Sequence, residues 1–389
     1  MVPNPANGHW VDTWTAMPQL TEFINLPQPP FDQTGLTFPN STIRQTLRTT
    51  IAADQIRIRL SNTFGLNDLP ITRATIALPR AEKGQNITGS SGIKAETLQT
   101  LTFSGNSSIT IPNGALAVSG PIDFPLKPGQ VISISLYLQN GQSSHFGDYT
   151  SSPNMTDPST NTTQHWYFLS AVEARVPPKY SAFAILGDSI TDGRGSYVNT
   201  NMQWPNLLFN RLRSSSASDQ GSNNIAVLNQ AAGGDRVLYD GNVKYAMIFE
   251  GVNDIGTADT TVANQTTTGD RLIQAYKQMI TRVHAFGIPM FGATITPFGC
   301  YNSTLQSYSV PIREETRLRV NDWIRMSGWF DAVVDFDAVL RDPKNHTQLA
   351  PYYDSGDCLH PNPAGYREMA DKFPLGVFSE FRNGVSGFM

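Results

Sequence analysis

The sequence predicts an α/β fold: a flavodoxin-like three-layer α/β/α domain with a parallel five-stranded sheet, preceded by an N-terminal β-sandwich-like domain. Three observations predict it. The first half of the chain alternates apolar and polar residues in short runs separated by turn residues. A proline pair, Pro177-Pro178, marks a change of pattern. Beyond it, short wholly apolar runs alternate with helical periodicity, as strands buried on both faces by covering helices do. The boundary divides the chain into residues 1–176 and 177–389.

In the first half, Gln55-Ile56-Arg57-Ile58-Arg59-Leu60 and the run from Val131 to Leu138 alternate as half-exposed strands do. Clusters such as Ser104-Gly105-Asn106 and Pro112-Asn113-Gly114 supply the turns. The stretch from Asp148 to Gln164 is polar and reads as an exposed loop. In the second half, strands are expected over Phe183–Leu186, Ile225–Leu228, Tyr245–Phe249, Met290–Ile295 and Ala332–Val334. Leu272, Ile273, Tyr276, Met279, Ile280 and Val283 share one helical face, and Gly287 with Pro289 stops that helix.

Composition narrows the function. A net charge of -4 with no basic run speaks against a nucleic-acid partner. No apolar stretch approaches the ~20 residues that span a bilayer, so no membrane span is expected. Met1-Val2-Pro3-Asn4-Pro5 has no apolar signal core. The chain is therefore expected to be cytosolic, or the mature form of a secreted protein. Two features favour secretion. N-glycosylation sequons stand at Asn40, Asn86, Asn106, Asn154, Asn161, Asn264, Asn302 and Asn345; chance would give roughly four or five. Cys300 and Cys358 allow one bridge, the alternative being two unrelated buried thiols.

The string "GDSITDGRGS", residues 187–196, follows the apolar run Ala182–Leu186. Gly, Asp and Ser favour turns, which is the plain reading. The alternative is a serine held at the carboxyl end of a central strand, where open α/β sheets bind ligands. Three more stretches fall at the same edge: Asn229-Gln230-Ala231-Ala232-Gly233-Gly234-Asp235, Glu250-Gly251-Val252-Asn253-Asp254, and Asp354 to Asn362. Taken in order, these blocks resemble the SGNH, or GDSL, hydrolase superfamily over about residues 180–375. "GDSITDGRGS" and "YDSGDCLHPNPAGY" look like its extracellular esterase-like branch, which carries an N-terminal β domain. On that likeness "GHWVDTWTAMP" and "RIRLSNTFG" belong too.

The resemblance implies a carboxylic-ester hydrolase with Ser189, Asp357 and His360 as catalytic residues. Each fits its role chemically. A serine hydroxyl needs an adjacent base to become a nucleophile. His360 suits proton transfer near neutrality. Asp357 would hold the imidazole in the useful tautomer. Asp354 is a competing carboxylate. Asn362 and Pro363 read as the cap and first residue of a helix anchoring this loop.

Acyl transfer also needs donors to the oxyanion. The resemblance implies the Ser189 N–H, a glycine N–H after the second strand, and the Asn253 amide. Gly234 fits the family spacing from Asn229 better than Gly233. Asn253 alone could instead be a loop or cap residue. Asp188, Asp192, Asp235 and Asp254 read as acceptors that hold loops.

Asp188, Asn253, Asp254 and His360 are also residue types that metallophosphoesterases use, but no His pair stands at ligand spacing. No metal and no cofactor are expected. The other histidines, at 9, 145, 165, 284 and 346, read as surface or packing residues, with a substrate contact as the alternative for His145 and His165. A Cys300–Cys358 bridge would tie the catalytic loop to its neighbour.

The expected function is a secreted serine esterase acting through an acyl-enzyme on short-chain, acetyl-type esters of a carbohydrate or small molecule. The alternatives are an acyltransferase using the same serine, and a carbohydrate-binding protein with an idle hydrolase fold. The oligomeric state is left open.

Overall fold

The computed structural model describes residues 8–21, 29–33, 35–81, 86–143, 150–153, 165–214, 222–231 and 243–386. The chain divides into two compact units, Met1–Tyr180 with Val198–Thr200, and Ser181–Tyr197 with Asn201–Met389.

The first unit is mostly antiparallel strands. In one sheet His9–Thr15 pairs with Leu169–Val176, which pairs with Ala53–Ser61, and the far edge of Ala53–Ser61 takes Leu116–Val118 and Ile122–Leu126. In another, Ser41–Arg48, Val131–Leu138, Arg73–Ala77 and Gln99–Thr100 lie side by side. The alternation along Ala53–Ser61 has its expected consequence: Ile56, Ile58 and Leu60 are fully buried, while Gln55, Arg57 and Arg59 are partly exposed. Outside that face, Arg57 bonds the Glu173 carboxylate and stacks on Trp10.

Val131–Leu138 departs from the half-exposed expectation. Ile132, Ile134, Leu136 and Leu138 are buried, but so are Ser133 and Ser135. The strand is central in its sheet, and Arg44 from the neighbouring strand reaches over it to donate to Ser135 Oγ at 3.0 Å. The small serines leave room for that cover.

The second unit is built on a parallel sheet of five strands: β1 (Ser181–Gly187), β2 (Ile225–Ala231), β3 (Val243–Phe249), β4 (Met290–Ala293) and β5 (Ala332–Val334). Their spatial order is β2-β1-β3-β4-β5, the flavodoxin-like order. The helices are α1 (Ser189–Asp192), α2 (Trp204–Leu212), α3 (Val252–Thr257), α4 (Val262–His284), α5 (Pro311–Met326), α6 (Phe336–Leu340), α7 (Pro363–Lys372) and α8 (Val377–Glu380). They pack in two groups, α2 and α6 with α7, and α3, α4 and α5 together. Right-handed crossovers put these groups on opposite faces of the sheet. The core is rich in aromatic residues; Phe183 of β1 packs against Phe291, Phe373 and Phe378.

The periodic stripe expected from Leu272 to Val283 lies within α4, with Leu272, Tyr276 and Ile280 buried. Thr261 caps the start of α4 by accepting from the Asn264 N–H, and Gly287 adopts a positive φ of 69° just beyond its end. β4 is shorter than the expected Met290–Ile295. Its pairing stops at Ala293, and Asn321 of α5 takes over both polar groups of Ile295: its Oδ1 accepts from Ile295 N at 2.7 Å and its Nδ2 donates to Ile295 O at 2.8 Å. A side chain thus replaces the ladder.

The register sets the site. Gly187 of β1 stands beside Ala231 of β2 and Phe249 of β3. The chain segments that leave these three strands therefore emerge next to one another, at the point where the strand order reverses.

Candidate active site

β1 ends at Gly187, where an added Cβ would lie 2.3 Å from Thr191 Oγ1. Only glycine allows so tight a turn from strand to helix here. Asp188 keeps an extended backbone, and its carboxylate accepts from the Ile190 N–H at 2.9 Å, capping α1. Ser189 is the first residue of that helix, which Gly193 ends with a φ of 107°. Asn229 ties the neighbouring strand to this turn by donating to Thr191 O at 3.1 Å.

The loop from Asp354 to Asn362 brings the imidazole. Ser189 Oγ lies 2.9 Å from His360 Nε2, and His360 Nδ1 lies 2.6 Å from Asp357 Oδ2. With Nδ1 carrying the proton toward the carboxylate, Nε2 accepts from the serine hydroxyl. The second oxygen of Asp357 is occupied too: it accepts from the N–H groups of His360 and Leu359 and from Ser355 Oγ. Asp354 does something else. Its Oδ1 accepts from the N–H groups of Gly356 and Cys358, folding the loop rather than facing the imidazole. Asn362 caps α7 through the N–H groups of Ala364 and Gly365 and donates to Tyr352 O and Asp354 O, anchoring the loop's far end.

After β3, Gly251 turns the chain with a φ of 113°, and Asn253 falls in the first turn of α3. Its Oδ1 accepts from the Tyr308 hydroxyl at 3.2 Å. Gly233, Gly234 and Asp235 lie outside the described residues.

Residues 183–373 match the family of GDSL-like lipases and acylhydrolases. This segment is a GDSL-like lipase/acylhydrolase domain. The protein is accordingly an ester hydrolase of the SGNH type. No curated protein matches the chain. Among solved structures it is similar to an active-site mutant of a family two carbohydrate esterase from Clostridium thermocellum, at 14% identity and a TM-score of 0.34 over 97% of this chain and 98% of that one. It is similar to a carbohydrate acetylesterase family member from Sinorhizobium meliloti, at 14% identity and a TM-score of 0.36 over 54% of this chain and 100% of that one. A GDSL-like lipase from Bacteroides thetaiotaomicron is similar at 14% identity and a TM-score of 0.33, over 49% of this chain and 84% of that one.

Charge in the GDSL domain is uneven. Burial opposes ionisation of Asp357, but the His360 imidazole and the N–H groups of His360 and Leu359 outweigh it and hold the carboxyl well below the usual range. Asp188 goes the other way. It is 1% exposed, and burial, with the Asp254 charge adding, pushes its pKa up to about 7 despite the Ile190 N–H. Asp188 directly precedes Ser189 and Asp357 stands three residues before His360, yet only Asp357 meets the ring. Asp254 is exposed, and Asp192 is half-buried at the end of α1.

Cys300 and Cys358 are joined, with Cα atoms 5.4 Å apart. The bond fastens the loop after β4 to the residue between Asp357 and His360. The same loop makes two contacts that sequence reasoning missed. Gln306 Nε2 donates to Asp357 O at 3.3 Å, and Tyr308 bonds Asn253. Both sit in the polar run Asn302–Ser309, where only Cys300 beforehand hinted at the site.

Of the sequon asparagines, Asn40, Asn86, Asn106, Asn264, Asn302 and Asn345 are exposed, while Asn154 and Asn161 lie outside the described residues. His145 lies outside them as well. His165 is half-buried in a short strand of the first unit, edge-on to Tyr167, and burial lowers its pKa. His284 pairs with Asp331 at 2.8 Å. Among the described residues, no helix is long and apolar enough to cross a membrane, and no three His, Cys, Asp or Glu side chains gather as metal ligands would.

Proposed function

We propose that the protein is a secreted serine carboxylic-ester hydrolase that works through an acyl-enzyme on short-chain, acetyl-type esters of a carbohydrate or small molecule. The observation that carries the reading is the continuous line from Asp357 through His360 to Ser189, with contacts of 2.6 and 2.9 Å. In the first step Ser189 Oγ attacks the ester carbon while His360 Nε2 takes the hydroxyl proton. The carbonyl oxygen becomes an oxyanion, for which the Ser189 N–H, the Gly234 N–H and Asn253 Nδ2 are the donors. Collapse releases the alcohol with the proton from His360 and leaves the acyl group on Ser189. Water, deprotonated by His360, then attacks the acyl carbon and frees the acid and the serine. Asp357 keeps its charge throughout and stabilises the imidazolium.

The Cys300–Cys358 bond and the exposed sequon asparagines support an extracellular setting. The acetyl-type substrate rests on the sequence resemblance to extracellular esterases. The test is turnover of p-nitrophenyl acetate and of longer acyl esters by the wild type and by Ser189→Ala. The reading expects turnover highest on the acetyl ester and lost in the variant. Undiminished turnover by Ser189→Ala contradicts it.

A further inference from the structure

We propose that Tyr308 is a positioning residue that fixes which end of the Asn253 amide faces the reacting ester. The inference rests on the serine-esterase reading, in which Asn253 stabilises the oxyanion.

A primary amide has a donor end and an acceptor end of nearly the same shape, and half a turn about its last torsion exchanges them. Only the Nδ2 end helps a developing oxyanion; the Oδ1 end repels it. The side chain therefore needs something to set its orientation. Tyr308 supplies it, because its hydroxyl donates to Asn253 Oδ1 at 3.2 Å. With the carbonyl end held, the NH2 group is committed to the other side. Burial raises the Tyr308 pKa, so the phenol keeps its proton at neutral pH and remains a donor.

The ring is placed independently of that bond. Gly256 stands three residues after Asn253 in α3, on the same helical side. A Cβ there would lie 2.2 Å from the Tyr308 ring, so the ring rests on the bare backbone of the helix that carries Asn253. Phe298 meets it edge-on at a centroid distance of 6.2 Å, and Gln306 Oε1 accepts from the Tyr308 N–H at 3.1 Å. Gln306 also reaches Asp357 O. The loop after β4 thus braces the donor side of the site and the base side at once.

The test is a double-mutant cycle on p-nitrophenyl acetate with Tyr308→Phe, Asn253→Ala and the pair, each checked for its thermal midpoint. Tyr308→Phe keeps the ring on Gly256 and removes only the hydroxyl. It is expected to lower kcat about 5–10-fold, the size of one lost hydrogen bond, with KM nearly unchanged. In the Asn253→Ala background the same change should cost nothing further. A purely structural role would give equal losses in both backgrounds and a lowered midpoint, and would overturn the inference. So would unchanged kcat in Tyr308→Phe. If Asn253→Ala still slows turnover in that case, the esterase reading stands and only the role of Tyr308 falls.

Discussion

Asp357 Oδ2 lies 2.6 Å from His360 Nδ1, three residues along the same loop, and both N–H groups that follow Cys358 point back at the other oxygen of that carboxylate. The carboxylate is locked before the imidazole is counted. It therefore dictates the ring's tautomer and leaves Nε2 free to accept from Ser189.

Asp357→Asn should keep the loop folded and fail in catalysis. The amide offers an N–H where a carboxylate oxygen is needed, and the ring then presents the wrong nitrogen to Ser189. We expect kcat to fall about 10³–10⁴-fold with little change in KM. Asp354→Asn, which touches only the backbone of the turn, should cost far less. Steady-state kinetics of the two variants decide this, and equal losses would mean that Asp354 shares the role.

Asn253→Ala should lower kcat by about 10²–10³-fold while KM moves little, because an oxyanion donor acts mainly in the transition state. A rise in KM alone would make Asn253 a residue for binding or for holding α3.

Asp188 gives a prediction about pH. Its carboxyl is held at about 7 in the folded chain, above the ordinary value near 4 for an unfolded one. Between these values the folded state binds more protons than the unfolded state, so this group's contribution to stability is present at pH 4 and is lost as pH rises through 7. Asp188→Asn keeps an acceptor for the Ile190 N–H and removes the titration. Urea melts should therefore show the variant gaining on the wild type from pH 4 to pH 8. A constant difference would show that Asp188 ionises at its ordinary value.

The Cys300–Cys358 bond should protect activity more than fold. It closes a separation of 58 residues, for which chain entropy gives about 4 kcal/mol as an upper figure. Because Cys358 lies between Asp357 and His360, opening the bond frees the residues that aim the imidazole. Added reductant should lower activity at temperatures where the far-ultraviolet circular dichroism is unchanged. Parallel loss of both signals would make the bond a global support only.

What was legible in the sequence is what lies next to a strand end. Ser189 follows β1 by two residues and Asn253 follows β3 by four, so apolar runs sufficed to place them at one edge. Asp357 and His360 lie three residues apart, so one loop could be expected to carry both, and the resemblance, rather than spacing alone, favoured Asp357 over Asp354. The early end of β4 was not, since it depends on Asn321, 26 residues away. The burial of Ser135 was hidden for the same reason: Arg44, from another strand, reaches over to it. Tyr308 escaped because it acts through a contact 55 residues distant, and its own neighbourhood has no periodicity to betray it.

The central claim is that Ser189 forms the acyl-enzyme. Its most direct test is labelling with a fluorophosphonate, followed by digestion and mass spectrometry of the modified peptide. One adduct is expected, on Ser189 in the peptide containing GDSITDGR, absent from Ser189→Ala and slowed in His360→Ala. An adduct on another serine, or labelling that persists in Ser189→Ala, would contradict it.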